Sequence, residues 1–360
     1  MDNNQQFISN VEIKEISSFK TTWSAPSNIA LVKYWGKKEI QIPCNPSISF
    51  TLDHCRTISS VQFERLASES DNIPFYVNYD GKPATSFEPK IKDFIDRILP
   101  YTPYLKNYNI QIDTVNSFPH SSGIASSASS MAALAAAIMD LEKQINPSMN
   151  SEEQTKKCSF LARLGSGSAT RSVEGPLVIW GEHEATPESS DLFAIRWPNA
   201  ADVFKSYRDT ILLVDKGQKE VSSTVGHKLM HNHPFAENRF AQAKANYQTL
   251  LNILEKGDID KFNDLIELEA LSLHAMMMTS SQSYILMHPN TIQIIQMVRK
   301  YRKETGLHLT FTLDAGANVH LLYPAHEAKK IDQFIESDLR KYCQDDELIY
   351  DRVGKGLKKM

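Results

Sequence analysis

The chain of 360 residues carries 39 Lys and Arg against 43 Asp and Glu, a formal net charge of -4, and 41% of its residues are apolar. That length can hold two domains with cores of their own, and the composition is that of a globular protein. The charge supplies no general attraction to nucleic acid or to an anionic membrane surface, so neither is expected as a partner.

The opening residues, MDNNQQFISNVEIKEISSFK, lack the basic start and apolar middle of a signal peptide. Short strands rich in β-branched or aromatic residues are predicted at 21–25, 29–35, 47–52, 57–63 and 108–113. Between the last two, EPKIKDFIDRIL places Ile91, Phe94, Ile95, Ile98 and Leu99 on one helical face. A small-residue helix begins near Ser126, and another covers 152–164. The longest apolar run, 131–141, is too short to span a bilayer. A boundary is placed at 197–207, dividing the chain into 1–203 and 204–360. Beyond it the pattern predicts a strand at 209–215, several helices across 235–305, two strands around 308–323 and a helix over 326–342. Strands first and helices later predict an α+β fold. Cys44, Cys55, Cys158 and Cys343 show no metal or redox spacing and read as reduced, mostly buried thiols of a soluble cytoplasmic protein.

Five stretches bear on chemistry. SAPSNIALVKYWGKK, 24–38, sets Lys33, Lys37 and Lys38 around Tyr34 and Trp35. Strand alternation would turn Lys33 and Trp35 to one face and Tyr34 to the other, and a basic edge strand guarding against aggregation is the plainer alternative. NSFPHSSGIASSASSMAALAAAI, 116–138, runs a Gly/Ser loop into a helix, where free N–H groups and the helix dipole suit an anion. It ends in no G-K-[ST], and a serine-capped helix with a close-packed alanine face remains open. LARLGSGSATRSVEGPLVIW, 161–180, offers the hydroxyls of Ser166 and Ser168, close approach at Gly167, and Arg171 as a fork for carboxylate or phosphate. In HKLMHNH, His227 and His231 stand four apart without an obvious third ligand, so no metal site is assigned. LTFTLDAGANVH, 309–320, ends a half-buried strand pattern at Asp314, before small residues. An acid there is commonly a turn former; the competing reading is a carboxylate beside a ligand. The segment KGLKKM reads as a solvated tail.

Together these stretches resemble the diphosphomevalonate decarboxylases, a family of the GHMP kinase superfamily. The resemblance rests on APSNIALVKYWGK at 25–37, NSFPHSSGIASSA at 116–128, GSGSATRS at 165–172, VSSTVGH at 221–227 and DAGAN at 314–318, five motifs in the family's order. It implies a two-lobed GHMP kinase fold with the site in the cleft, a homodimer, and use of ATP with Mg²⁺. The implied reaction converts mevalonate 5-diphosphate to isopentenyl diphosphate, phosphate and CO₂ after phosphorylation of the 3-hydroxyl. It also implies roles. Asp314 would orient or deprotonate that hydroxyl, and Arg171 would hold the C1 carboxylate. Lys33, Tyr34 and Lys37 would line the diphosphate and reacting centre, with Ser166, Gly167, Ser168 and Ser223 on the substrate. Gly123, Ser126 and Ser127 would cradle the ATP phosphates, and Asn28 would support that site. His227 stands where the family has methionine, and Ser121 and Ser122 replace two small apolar residues. If His227 touches substrate, its charge should matter between about pH 6 and 7. An enzyme acting on the 5-monophosphate, or phosphorylating without decarboxylating, is the related alternative. A silent nucleotide-binding or RNA-binding module would need degraded phosphate loops or a basic face, and neither is present.

Overall fold

The computed structural model describes residues 3–9, 15–119, 124–217 and 223–360. Its first half is built on two long strands, β1 (Ser18–Val32) and β2 (Ser47–Arg65), paired antiparallel from Ser18 opposite Glu64 to Val32 opposite Ile48. The sequence predicts each as two short strands. The ladder instead continues through register shifts at Pro26–Asn28 and Ala30–Val32, irregularities that tolerate a proline without a donor. Strands β3 (Phe75–Tyr79) and β4 (Lys82–Pro83) form a hairpin; helix α1 (Glu88–Ile98) and strand β5 (Tyr108–Asn116) follow. Ile91, Phe94, Ile95 and Ile98 of α1 are buried, as the periodicity requires, and Leu99 begins the next turn, half-buried.

Helix α2 (Ser126–Ile145) lies against this sheet with an alanine-rich stretch, 132–137, broken only by Leu134, and α3 (Ser151–Gly165) lies beside it. Small side chains let the helix approach closely and still bury a continuous apolar surface. Strand β6 (Leu177–Trp180) then pairs with the start of β2, and β7 (Ile195–Arg196) pairs with β6.

After the short helix α4 (Asp202–Lys205), strand β8 (Arg208–Leu212) opens a second sheet. Helices α5 (Ser223–Lys228), α6 (Ala236–Lys256), α7 (Ile259–Met278) and α8 (Pro289–Thr305) precede strands β9 (Thr310–Thr312) and β10 (Val319–Tyr323). Helix α9 (Ala328–Phe334) and strand β11 (Leu348–Arg352) complete this half, whose sheet order is β11-β8-β10-β9, antiparallel throughout. β9 is not half-buried: Thr310 and Thr312 are as enclosed as Leu309, Phe311 and Leu313, because α7 and α8 pack over it.

The halves share a core. Ile29, Leu31 and Phe50 of the first sheet pack in one cluster with Tyr247, Leu250 and Leu254 of α6 and Phe262 and Ile266 of α7. Asp351 reaches across to β2, its carboxylate accepting from the main-chain N–H groups of Asp53, His54 and Cys55 at 3.0, 2.8 and 2.7 Å. The segment expected to be a solvated tail is a strand. β12 (Lys358–Lys359) pairs with Trp23 and Ser24 of β1, and Arg56 donates to the carbonyls of Lys355 and Gly356. Lys359 adds an ion pair to Asp140 at 2.7 Å, so its charges are used rather than merely solvated.

Candidate active site

β1 ends at Val32, and the next three side chains each take a separate partner. Lys33 is 1% exposed, and its Nζ pairs with Asp314 Oδ1 at 3.0 Å across 281 residues of sequence. Trp35 turns into a cluster with Met230, Leu273 and Ala315. Tyr34 sits between the rings of Trp180 and His227, at centroid distances of 4.8 and 4.4 Å. The ladder stops before these residues, yet Lys33 and Trp35 both turn to the loop at 314–315 while Tyr34 turns to Trp180, as alternation expects. The plainer alternative of a basic edge strand does not hold at Lys33, which is buried.

Burial lowers the Lys33 pKa, opposed chiefly by the Asp314 carboxylate and further by Glu269. The Lys33 main chain is fixed on both sides. Its N–H donates to Glu269 Oε2 at 2.8 Å, and its carbonyl accepts from Asn45 Nδ2 at 3.1 Å.

Arg171, 2% exposed, lies in a turn spanning Gly167–Ser172. Its Nε donates to Ser49 at 2.5 Å and its Nη1 to Ser47 at 2.7 Å, two hydroxyls on the same face of β2. Its guanidinium also stands over the Trp180 ring, 5.6 Å from the centroid. Burial lowers its pKa to about 10, against the attraction of Asp314 and of Tyr34, so it remains a cation near neutrality. With Nε and one Nη1 hydrogen engaged, the Nη end of the fork is left for a planar anion.

Asn28 ties this turn to β1: its amide donates to the Ser168 carbonyl at 3.1 Å and to Ser172 Oγ at 2.8 Å, while its carbonyl accepts from Ser49 at 3.1 Å. Its side chain thus braces the Arg171 turn. The neighbouring Ser27 instead reaches the other loop, donating to the Ile124 carbonyl at 2.8 Å. Ser166 and Ser168 stand 3.4 Å apart through their hydroxyls. A Cβ on Gly167 would lie 2.7 Å from the Tyr34 hydroxyl and 3.0 Å from Trp180, so glycine is required there. That Tyr34 hydroxyl is buried and has no hydrogen-bond partner among the described residues, and burial pushes its pKa up. A buried neutral phenol without a partner is costly unless a ligand supplies one.

Ser126 and Ser127 open the 20-residue α2, and Ser127 Oγ accepts from Lys90 Nζ at 2.5 Å. Gly123, Ser121 and Ser122 lie outside the described residues. Ser223 opens α5, and Lys37 Nζ donates to Gln41 at 3.0 Å. His227 is buried against Tyr34 and Trp35, while His231 falls beyond the end of α5.

The titration of His227 expected between pH 6 and 7 is overturned. Its Nδ1 accepts from the Gly36 N–H at 2.9 Å, which requires that nitrogen to be unprotonated, and burial with nearby Lys37 and Arg171 lowers the pKa to about 3. Activity of His227→Met should therefore follow the same pH profile as the parent from pH 6 to 7. The stability consequence lies elsewhere. The unfolded imidazole takes up a proton that the folded one refuses, so this residue's contribution is present above about pH 6.5 and is lost as pH falls toward 3. Thermal melts at pH 7 and pH 4.5 should show a smaller acid loss for His227→Met than for the parent; an equal loss would place the acid-sensitive group elsewhere.

Several contributors carry weak sequence signals. Ser47 and Ser49 are small polar residues in an ordinary strand pattern, Glu269 reads as a surface charge of an amphipathic helix, and Lys90 sits on a helix far from any motif. Among the described residues no three His, Cys, Asp or Glu side chains gather as metal ligands, and no helix is long and apolar enough to cross a membrane.

Residues 25–192 match the family model of the diphosphomevalonate decarboxylase-like N-terminal domain, and residues 210–357 that of the mevalonate 5-diphosphate decarboxylase C-terminal domain. A diphosphomevalonate decarboxylase of Candida albicans is 30% identical over 336 residues, which cover 87% of this chain and 86% of that protein. The crystal structure of a mevalonate diphosphate decarboxylase from Legionella pneumophila is 30% identical, with a TM-score of 0.75 over 92% of this chain and 100% of that one. A structure described as MDDEF in complex with MVAPP, AMPPCP and magnesium is 26% identical, with a TM-score of 0.80 over 95% of this chain and 99% of that one. The α+β fold is that of the GHMP kinases, and the chain belongs to the diphosphomevalonate decarboxylase family.

Proposed function

We propose that this chain converts mevalonate 5-diphosphate and ATP into isopentenyl diphosphate, ADP, phosphate and CO₂. The observation that carries the reading is the Lys33–Asp314 pair beside a buried Arg171 whose fork is pre-set by Ser47 and Ser49. Hydroxide leaves a tertiary carbon poorly, so the 3-hydroxyl oxygen first takes the γ-phosphoryl group and its proton is lost. The C3–O bond then breaks with departure of phosphate. The C1–C2 electrons form the C2–C3 double bond as CO₂ leaves.

Asp314 orients the hydroxyl or takes its proton, and Lys33 holds its carboxylate in place. Arg171 grips the C1 carboxylate through two parallel hydrogen bonds, a shape that a point charge does not match. Tyr34, Lys37, Ser166, Gly167, Ser168 and Ser223 line the substrate, with the unpartnered Tyr34 hydroxyl supplying one polar contact. Asn28, expected at the ATP phosphates, instead supports this wall through Ser168 and Ser172. The ATP phosphates would meet Gly123, Ser126 and Ser127 at the start of α2, where helix N–H groups and Lys90 suit an anion. Mg²⁺ would be held chiefly by those phosphates, and supplies charge neutralisation when bound. The division into lobes 1–203 and 204–360, a homodimer and a cytoplasmic location complete the proposal.

A coupled assay offering mevalonate, its 5-phosphate and its 5-diphosphate separately tests it. The diphosphate should yield ADP and CO₂ in equal amounts. ADP without CO₂, or turnover confined to the monophosphate, would replace this reading with the related kinase or monophosphate decarboxylase.

A further inference from the structure

The loop bearing Asp314 is held by its main chain, and one of the hands that hold it belongs to α7. The Asp314 carbonyl accepts from the Gly316 N–H at 2.8 Å and, on the helix side, from His274 Nε2 at 3.1 Å. His274 is 1% exposed, so this imidazole is packed in place rather than reaching in from solvent. Farther along the loop, Thr291 of α8 donates to the Ala317 carbonyl at 2.7 Å, and Asn318 exchanges two bonds of 2.9 Å with the main chain of Asp215.

Five residues before His274 on the same helix stands Glu269, fully buried. It accepts the Lys33 N–H at 2.8 Å while its carboxylate is forked by Arg239 at 2.6 and 3.0 Å and met by Asn246 at 2.6 Å. Arg239 and Asn246 belong to α6, so both helices brace the carboxylate that receives Lys33. Helix α7 therefore grips the backbone of each partner in the Lys33–Asp314 pair, about 7.5 Å apart along its axis. A helix segment is stiff over that length, whereas the two chain segments it holds are a strand end and a loop.

We infer that Glu269 and His274 are positioning residues of the reaction, and that α7 sets the meeting point of the Lys33 ammonium and the Asp314 carboxylate. The inference rests on the proposed role of that pair at the 3-hydroxyl. Neither residue touches substrate; each acts through the backbone of a residue that does. The pair's own 3.0 Å contact cannot fix its place in the cleft, because the long Lys33 side chain can follow the Asp314 carboxylate as the loop shifts. Two main-chain anchors on one rigid element remove that freedom, and misplacement of reacting groups by about 1 Å can cost on the order of 10²-fold in rate.

His274 supports a clean experiment, because its removal leaves the Asp314 carbonyl still bonded to Gly316 and thus not orphaned. His274→Leu is of similar bulk and suits a buried site but deletes the donor. His274→Gln carries an N–H donor near the position of Nε2. Steady-state kinetics on the parent, both variants and Asp314→Asn should be measured together, with melting temperatures. The expected result is a fall in kcat of about 10- to 100-fold for His274→Leu with little change in KM for ATP, and recovery to within about three-fold of the parent for His274→Gln. A purely structural role would lower the melting temperature without the split between kcat and KM. The inference is overturned if folded His274→Leu turns over like the parent, or if His274→Gln is as impaired as His274→Leu. Should His274→Leu not fold, His274→Asn, whose amide stops short of the carbonyl, takes its place with the same two outcomes. Full activity of Asp314→Asn would overturn the role of the pair itself. An inactive Asp314→Asn beside a parental His274→Leu would overturn only the role of α7.

Discussion

Asp314→Asn is expected to fold, to bind ATP and mevalonate diphosphate, and to lose turnover by about 10²–10⁴-fold or more. Asparagine keeps the shape of the side chain but cannot accept the hydroxyl proton. It also removes the negative charge that opposes the burial of Lys33, so the ammonium, already lowered in pKa by desolvation, becomes easier to neutralise. Asp314 keeps 28% of its side chain exposed, so the fold depends on it far less than on a sealed charge pair. Because the lost function precedes phosphoryl transfer, rapid quench with labelled ATP should show no 3-phosphorylated intermediate and no CO₂. An ADP burst at the parental rate, or accumulation of the 3-phosphate, would remove Asp314 from the first step. A lowered melting temperature with near-normal chemistry would return it to a turn former.

Arg171→Gln should lower kcat/KM by roughly 10²-fold, about the worth of a charged hydrogen-bonded contact at 3 kcal/mol. Arg171→Lys should not restore it. A lysine cannot keep the hydrogen bonds to Ser49 and Ser47 and also present two parallel N–H groups to a carboxylate. The rest of the polar wall, Ser49 to Asn28 to Ser168 and Ser172, persists without the guanidinium, so the melting temperature should move little. Parental activity in Arg171→Lys would show that the group held there is not a planar carboxylate.

Much of the fold could be read from local pattern. Helix α1 begins and ends close to its expected place because its apolar face repeats at helical spacing; α2 begins at the expected Ser126, and α3 nearly matches its expected range. The long strands β1 and β2 appear in the sequence only as fragments. Pro26 and the Asp53–His54 stretch look like breaks, yet register shifts and the distant Asp351 carboxylate carry the chain across them. β12 was hidden for a different reason: two lysines gain nothing from burial, and their pairing depends on a strand more than 300 residues earlier.

The candidate site divides in the same way. Lys33, Arg171 and Asp314 were singled out because their stretches resemble the family's motifs; residue type alone left Asp314 a turn former and Lys33 an edge lysine. Their geometry was not legible. That Lys33 meets Asp314, and that α7 holds both backbones, follows from packing between segments with no local signal. His227 shows the cost of reasoning from an ordinary imidazole. Only the enclosing rings of Tyr34 and Trp35 and the Gly36 N–H reveal that it stays neutral.

The pairing of β12 with β1 also sets a clock on biosynthesis. A ribosome adding about 5–20 residues per second needs roughly 15–65 s to travel from the end of β1 to Lys358. Once Arg65 has been made, β2 can zip along one side of β1, while Thr22–Ser24 on the other side waits with its main-chain groups unmatched. A nascent chain in this state offers an open template to its neighbours on the same messenger, and the hazard grows with crowding of ribosomes. Slow translation anywhere between Val32 and Lys358 would therefore lengthen that exposure and favour aggregation.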